Sequence, residues 1–137
     1  MQYLTPLHIS TYVLLVFASG HTLGLCLPHD YTPAANAVLA SMKTVHFDFN
    51  GSDCTFYGFY TGFGLMVTVF MLFSAFLTWL LAEAKASDRA VLKPIAWALL
   101  LAYLPMTGLS WMYFFVFPGV FSTVITGLIG WGCWTKY

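Results

Sequence analysis

Four stretches of the chain are apolar almost throughout, at 7–27, 56–82, 93–115 and 118–134. Each comes near the roughly 20 residues that a helix needs to cross a hydrocarbon core of about 30 Å. Between the third and fourth stretches the break is placed at Pro118-Gly119, a strong turn signal, which leaves Pro105 to kink the third helix. The 28–55 link is polar and patterned. Thr32 followed by Pro33 supplies an N-cap and a first helical residue, and Ala35, Val38, Leu39 and Met42 form one apolar stripe over 34–42. This predicts a short helix lying on the membrane surface. Beyond it Val45, Phe47 and Phe49 alternate with His46, Asp48 and Asn50, the period of an extended segment, and Asn50-Gly51 makes a turn. Ser52 or Asp53 then caps the second span. The expected fold class is all-α: a single-domain membrane four-helix bundle with a structured outer loop.

Composition agrees with this pattern. Of 137 residues, 60% are hydrophobic and 7% charged, against roughly 25% charged in an ordinary soluble domain. Five basic and five acidic residues cancel, and no basic run exists to neutralise a phosphate backbone, so a nucleic-acid partner is excluded. No basic residue precedes the first span and no small-residue cleavage pattern follows it, which argues for a retained helix over a signal peptide. Lys85, Arg89 and Lys93 lie around the link between spans two and three, Lys136 follows span four, and Lys43 alone lies in the 28–55 link. The positive-inside rule therefore puts both termini in the cytoplasm and the 28–55 link outside. Trp79, Trp97, Trp131 and Trp134 near the inner ends, with Tyr57, Tyr60, Trp111 and Tyr113 near the outer ends, make two aromatic belts.

Two GxxxG motifs, Gly20–Gly24 in span one and Gly58–Gly62 in span two, fall at similar depth on antiparallel neighbours. Missing side chains let backbones approach, so the two helices are expected to cross there. Between the first pair lies His21, an ionisable group about two turns below the outer surface. It is either a general acid or base, suited to proton transfer near neutrality, or a neutral imidazole bonded to a neighbouring helix and fixing its register.

Above His21 the loop gathers His29, Asp30, His46, Asp48 and Asp53, and span two opens with Tyr57 and Tyr60. The candidate catalytic set is His21, Asp48, Asp53, Tyr57 and Tyr60, with acid–base work in view. His29, His46 and Asp48 are the candidate metal ligands, although their spacing matches no defined site and solvated loop residues would read the same way. Glu83, Lys85, Asp88 and Arg89 read as interfacial anchors. Cys26 and Cys54 both fall near the outer face, where a disulfide is permitted if that side is oxidising, and Cys133 lies at the inner end of span four. No P-loop, HExxH, GxSxG, CxxC or haem-attachment motif occurs, so no cofactor is expected.

With GHTLG in span one, one Met in the outer link, GFYTGFG at the start of span two and WMYFFVFP at the close of span three, the chain resembles a family of small bacterial four-span membrane proteins of no assigned activity. That resemblance implies a bacterial inner membrane protein and no particular reaction. In layout alone the chain is also similar to the emopamil-binding and sigma-2-receptor group, four-span bundles that hold sterol-like ligands. The acidic residues which that group carries within its spans are absent here. Two functions follow. In one, the bundle holds a lipid or isoprenoid-like molecule in a pocket open to the outer leaflet, with His21 as proton shuttle. In the other, it is a non-catalytic accessory subunit whose aromatic faces pack on membrane protein partners. A channel or transporter fits less well, since no charged ring, broken-helix pair or inverted repeat is visible.

Overall fold

Helix boundaries follow from local caps as much as from hydropathy. In the computed structural model, which describes residues 4–28 and 30–137, α1 spans Pro6–Cys26, α2 Pro33–Thr44, α3 Phe56–Glu83, α4 Arg89–Tyr113 and α5 Val116–Lys136. A hairpin of β1 (His46–Phe49) and β2 (Ser52–Thr55) lies between α2 and α3. The fold class is all-α. Helix α1 starts at Thr5, whose Oγ1 accepts from the His8 backbone N–H at 3.4 Å, with Pro6 in the first helical position, where a missing N–H costs nothing. Helix α2 repeats the device: Thr32 Oγ1 accepts from the Ala35 N–H at 3.4 Å and Pro33 follows.

Two boundaries differ from the sequence expectation. The break between the last two helices falls at Phe114 and Phe115, both extended, and Pro118 lies inside the first turn of α5. Backbone N–H groups of a first turn have no intrahelical partner, so a proline there does not end the helix. Helix α4 begins at Arg89 after a 3₁₀ turn at Ala86–Asp88 and runs through both Pro94 and Pro105. Nor is span two capped by Ser52 or Asp53. Those residues are paired in β2, and Thr55 Oγ1 takes the Gly58 N–H at 3.0 Å.

The helices α1, α3, α4 and α5 are each long and apolar enough to cross a membrane, which makes this a multi-pass membrane protein. Their flanks expose Phe73, Phe76, Leu101, Leu104, Val120 and Val124, as helices whose solvent is lipid should.

Contacts divide the chain into two compact units, one holding the chain up to Ala18 with Met71–Tyr137 and the other holding Ser19–Phe70. The first is a four-helix bundle. Leu7 and Leu14 of α1, Leu81 of α3, and Ile125 and Ile129 of α5 are completely buried in it. Gly132 admits Leu7, since a Cβ there would lie 2.5 Å from Leu7 Cγ. Polar side chains stitch the helices in pairs. Thr11 and Thr78 hydroxyls meet at 2.9 Å between α1 and α3, Thr107 and Thr126 at 2.7 Å between α4 and α5, and Trp111 Nε1–H donates to Thr123 Oγ1 at 2.9 Å. At the bundle's end Lys136 Nζ and Tyr137 OH donate to the carbonyls of Ala82 and Leu81, free acceptors in the last turn of α3. Burial pushes the Tyr137 phenol above its ordinary pKa.

Candidate functional site

The second unit contains most of the residues singled out in the sequence. Its hairpin turns on Asn50 (φ 54°) and Gly51 (φ 83°), the pair of left-handed residues that a tight two-residue hairpin turn requires. Register places Asp48 opposite Asp53 and Phe47 opposite Cys54. Alternation along each strand then puts His46, Asp48 and Asp53 on one face and Phe47, Phe49 and Cys54 on the other. The aromatic face packs onto α3: Phe47 lies 4.7 Å from the Phe56 ring and 5.8 Å from that of Phe59, and Phe49 lies 5.9 Å from Phe59. On the polar face His46 Nδ1 pairs with Asp53 at 2.8 Å, and Asp48 Oδ1 accepts from the Gly51 N–H at 3.2 Å, which closes the turn. Two carboxylates directly opposite would repel. The imidazole on one and the backbone donor on the other offset that.

His21 lies on the seam between α1 and α3. Its Nε2–H donates to the Gly64 carbonyl at 3.0 Å, and since a carbonyl can only accept, Nε2 carries the proton. Thr22, the next residue of α1, and Thr68, one turn along α3 from Gly64, bring their hydroxyls together at 3.0 Å. The seam is closed at Gly64, where an added Cβ would lie 2.8 Å from Leu25 Cδ2, whereas one at Gly20, Gly24 or Gly62 would meet nothing within 4 Å. The expected crossing on the two GxxxG pairs is therefore corrected. Gly64, just beyond the second motif, is the close approach, and it admits a leucine side chain instead of a helix backbone.

Tyr57 and Tyr60 belong to a different feature. An open cavity of about 520 Å³ lies between the end of α1, the whole apolar stripe of α2 (Ala35, Val38, Leu39 and Met42) and the start of α3. Gly24, Leu25, Cys26, Leu27, Pro28 and Tyr31 line it from one side, and Tyr57, Tyr60 and Lys43 from the other. Lys43 Nζ stands 4.6 Å from the centroid of the Tyr57 ring, within cation–π range. Helix α2 buries no residue, and Val38 is 62% exposed.

The candidates thus separate into three places: His21 at the seam, His46, Asp48 and Asp53 on the hairpin, and Tyr57 and Tyr60 at the cavity. His21 does not line the cavity. His29 lies outside the described residues, and among those described no three His, Cys, Asp or Glu side chains converge on a point where a metal ion could sit. Cys26, Cys54 and Cys133 are free thiols, so no disulfide joins the first two.

Sequence reasoning missed two features. Lys43 serves there only as a marker of topology, although its place at the end of the apolar stripe of α2 was a signal that it edges the stripe. His8 passed unnoticed. In the first unit its Nδ1 lies 2.9 Å from Thr5 Oγ1 and its Nε2 2.9 Å from Glu83 Oε1, which joins the start of α1 to the end of α3. The Glu83 assigned as an anchor is half of that pair.

Comparison of the chain with protein-family models, with curated proteins and with solved structures yields no match.

Proposed function

We propose that the protein binds a lipid-like molecule in the cavity between α2 and the adjoining ends of α1 and α3. A single observation carries this reading: the apolar stripe of an amphipathic helix covers a cavity instead of packing against protein. An apolar stripe stays dry only against other apolar matter, and a space of about 520 Å³ falls in the range of small-molecule sites. The reading is of binding without chemistry. His21 Nε2 is taken up by the Gly64 carbonyl, and neither it nor a loop carboxylate lines the cavity.

The cavity opens to the outer leaflet if both termini are cytoplasmic, an orientation supported by Lys85 and Arg89 at the 83–92 link and Lys136 at the end of the last helix, against Lys43 alone in the 28–55 link. A bacterial inner membrane is the setting that the family resemblance favours.

Native mass spectrometry after purification in mild detergent tests the reading. A lipid-like mass should be retained, and Leu39→Ser in the cavity wall should lower its occupancy while Ala40→Ser, outside the cavity lining, leaves it unchanged. Bare protein, or equal retention by both variants, would overturn it. A second reading, an accessory subunit of a larger membrane assembly, rests on the unbroken run of exposed apolar side chains from Trp111 to Phe117. A stoichiometric protein partner in the same spectra, with the cavity empty, would select it.

A further inference from the structure

We infer that the cavity selects an anionic amphiphile: one acyl-like tail along the α2 stripe and one carboxylate or phosphate head against Lys43. The inference rests on the binding reading above and adds the chemistry of the head group.

Charge carries it. Among the described residues lining the cavity the only ionic side chain is Lys43, and the remaining polar side-chain groups are the phenols of Tyr31, Tyr57 and Tyr60 and the thiol of Cys26. The unit is not short of carboxylates that could have paired with this ammonium. Asp30 instead accepts from the Asn36 side-chain amide, Asp48 from the Gly51 N–H, and Asp53 pairs with His46. Each loop anion is thus engaged elsewhere, and among the described residues no carboxylate forms an ion pair with Lys43.

A cation in the last turn of a helix is often explained by the helix dipole alone. Here the ammonium stands over the Tyr57 ring at the cavity edge, an arrangement that fixes its position and leaves its charge unneutralised. An apolar wall with one fixed cation at its edge complements a molecule that is apolar along its length and anionic at one end. A neutral sterol would leave Lys43 unpaired, and a cationic amphiphile would be repelled by it.

Cys26 supplies the readout, because it lines the cavity and is exposed, whereas Cys133 is buried in the other unit. The unmodified chain, in nanodiscs of zwitterionic lipid, is alkylated with N-ethylmaleimide and the rate at each cysteine is followed by peptide mass spectrometry. Dodecanoate and dodecyl phosphate should each protect Cys26 at concentrations about tenfold lower than dodecanol does. Dodecylammonium should protect least, and acetate and inorganic phosphate not at all. Lys43→Gln should bring the anionic probes level with dodecanol, and Lys43→Arg should keep the preference. Unchanged slow alkylation of Cys133 in both variants verifies that they fold. Equal protection by dodecanol and dodecanoate in the unmodified chain, or a preference that survives Lys43→Gln, overturns the inference and leaves the binding reading standing. Protection by none of the tailed probes overturns both. Protection by acetate or phosphate alone would make the site one for free anions and would also overturn the inference.

Discussion

The bond from His21 to the Gly64 carbonyl is a single neutral N–H···O contact, and such contacts inside membranes average about 0.6 kcal/mol and rarely exceed 2. The Gly64 carbonyl lies within helix α3, so loss of the imidazole does not orphan it. His21→Leu should therefore lower stability by about 1 kcal/mol in detergent unfolding, and His21→Gln, which keeps a donor, by less. Glycines separate more sharply. A methyl at Gly132 would press on Leu7 Cγ, and Leu7 is fully buried and unable to swing aside. Gly132→Ala should cost about 1–3 kcal/mol. At Gly64 the nearest atoms are the tips of Leu25, which can rotate, so Gly64→Ala should cost less. Gly24→Ala and Gly62→Ala meet open space and should be neutral or mildly stabilising, as Ala favours helix over Gly. A fall in melting temperature for Gly24→Ala as large as that for Gly132→Ala would contradict this. Spacing in the sequence told which glycines share a helix face. It could not tell which side chain fills the hollow above them, and for that reason Gly64 and Gly132 were not legible.

Among the elements, the α2 helix and the β-hairpin bear on the cavity most directly. The stripe of α2 and its Thr32-Pro33 start were legible because capping and apolar periodicity are local. The first strand was legible from its alternation. The second was not, since Ser52-Asp53-Cys54-Thr55 carries no apolar alternation and is extended only because β1 pairs with it. That pairing depends on the turn. Gly51 has φ 83°, where a branched side chain costs about 1–2 kcal/mol. Gly51→Val should then speed hydrogen exchange at the paired strand amides by a factor of about 5–30. Because Phe47 packs on Phe56 and Phe59 near the start of α3, the same variant should loosen the cavity wall at Tyr57.

For the whole molecule, the four membrane-crossing helices could be read directly from hydropathy, since a bilayer imposes nearly one solution on apolar stretches of this length. The proposed orientation rests on the distribution of basic residues. A cysteine placed at position 50 in an otherwise cysteine-free variant should react with an impermeant reagent added outside, and one at position 87 should not. The opposite pattern would invert the topology. The α4–α5 junction was harder to place because Pro-Gly is a turn signal only where the backbone needs one. What joins those helices is the pair Phe114-Phe115, exposed and without one polar side chain. This has a meaning for biosynthesis. A nascent chain ordinarily delivers a hydrophilic loop to the far side of the bilayer before the next segment is laid in, and here there is no such cargo to deliver. Helices α4 and α5 are therefore suited to entering the membrane together as one hairpin, with no polar side chain between them to carry across.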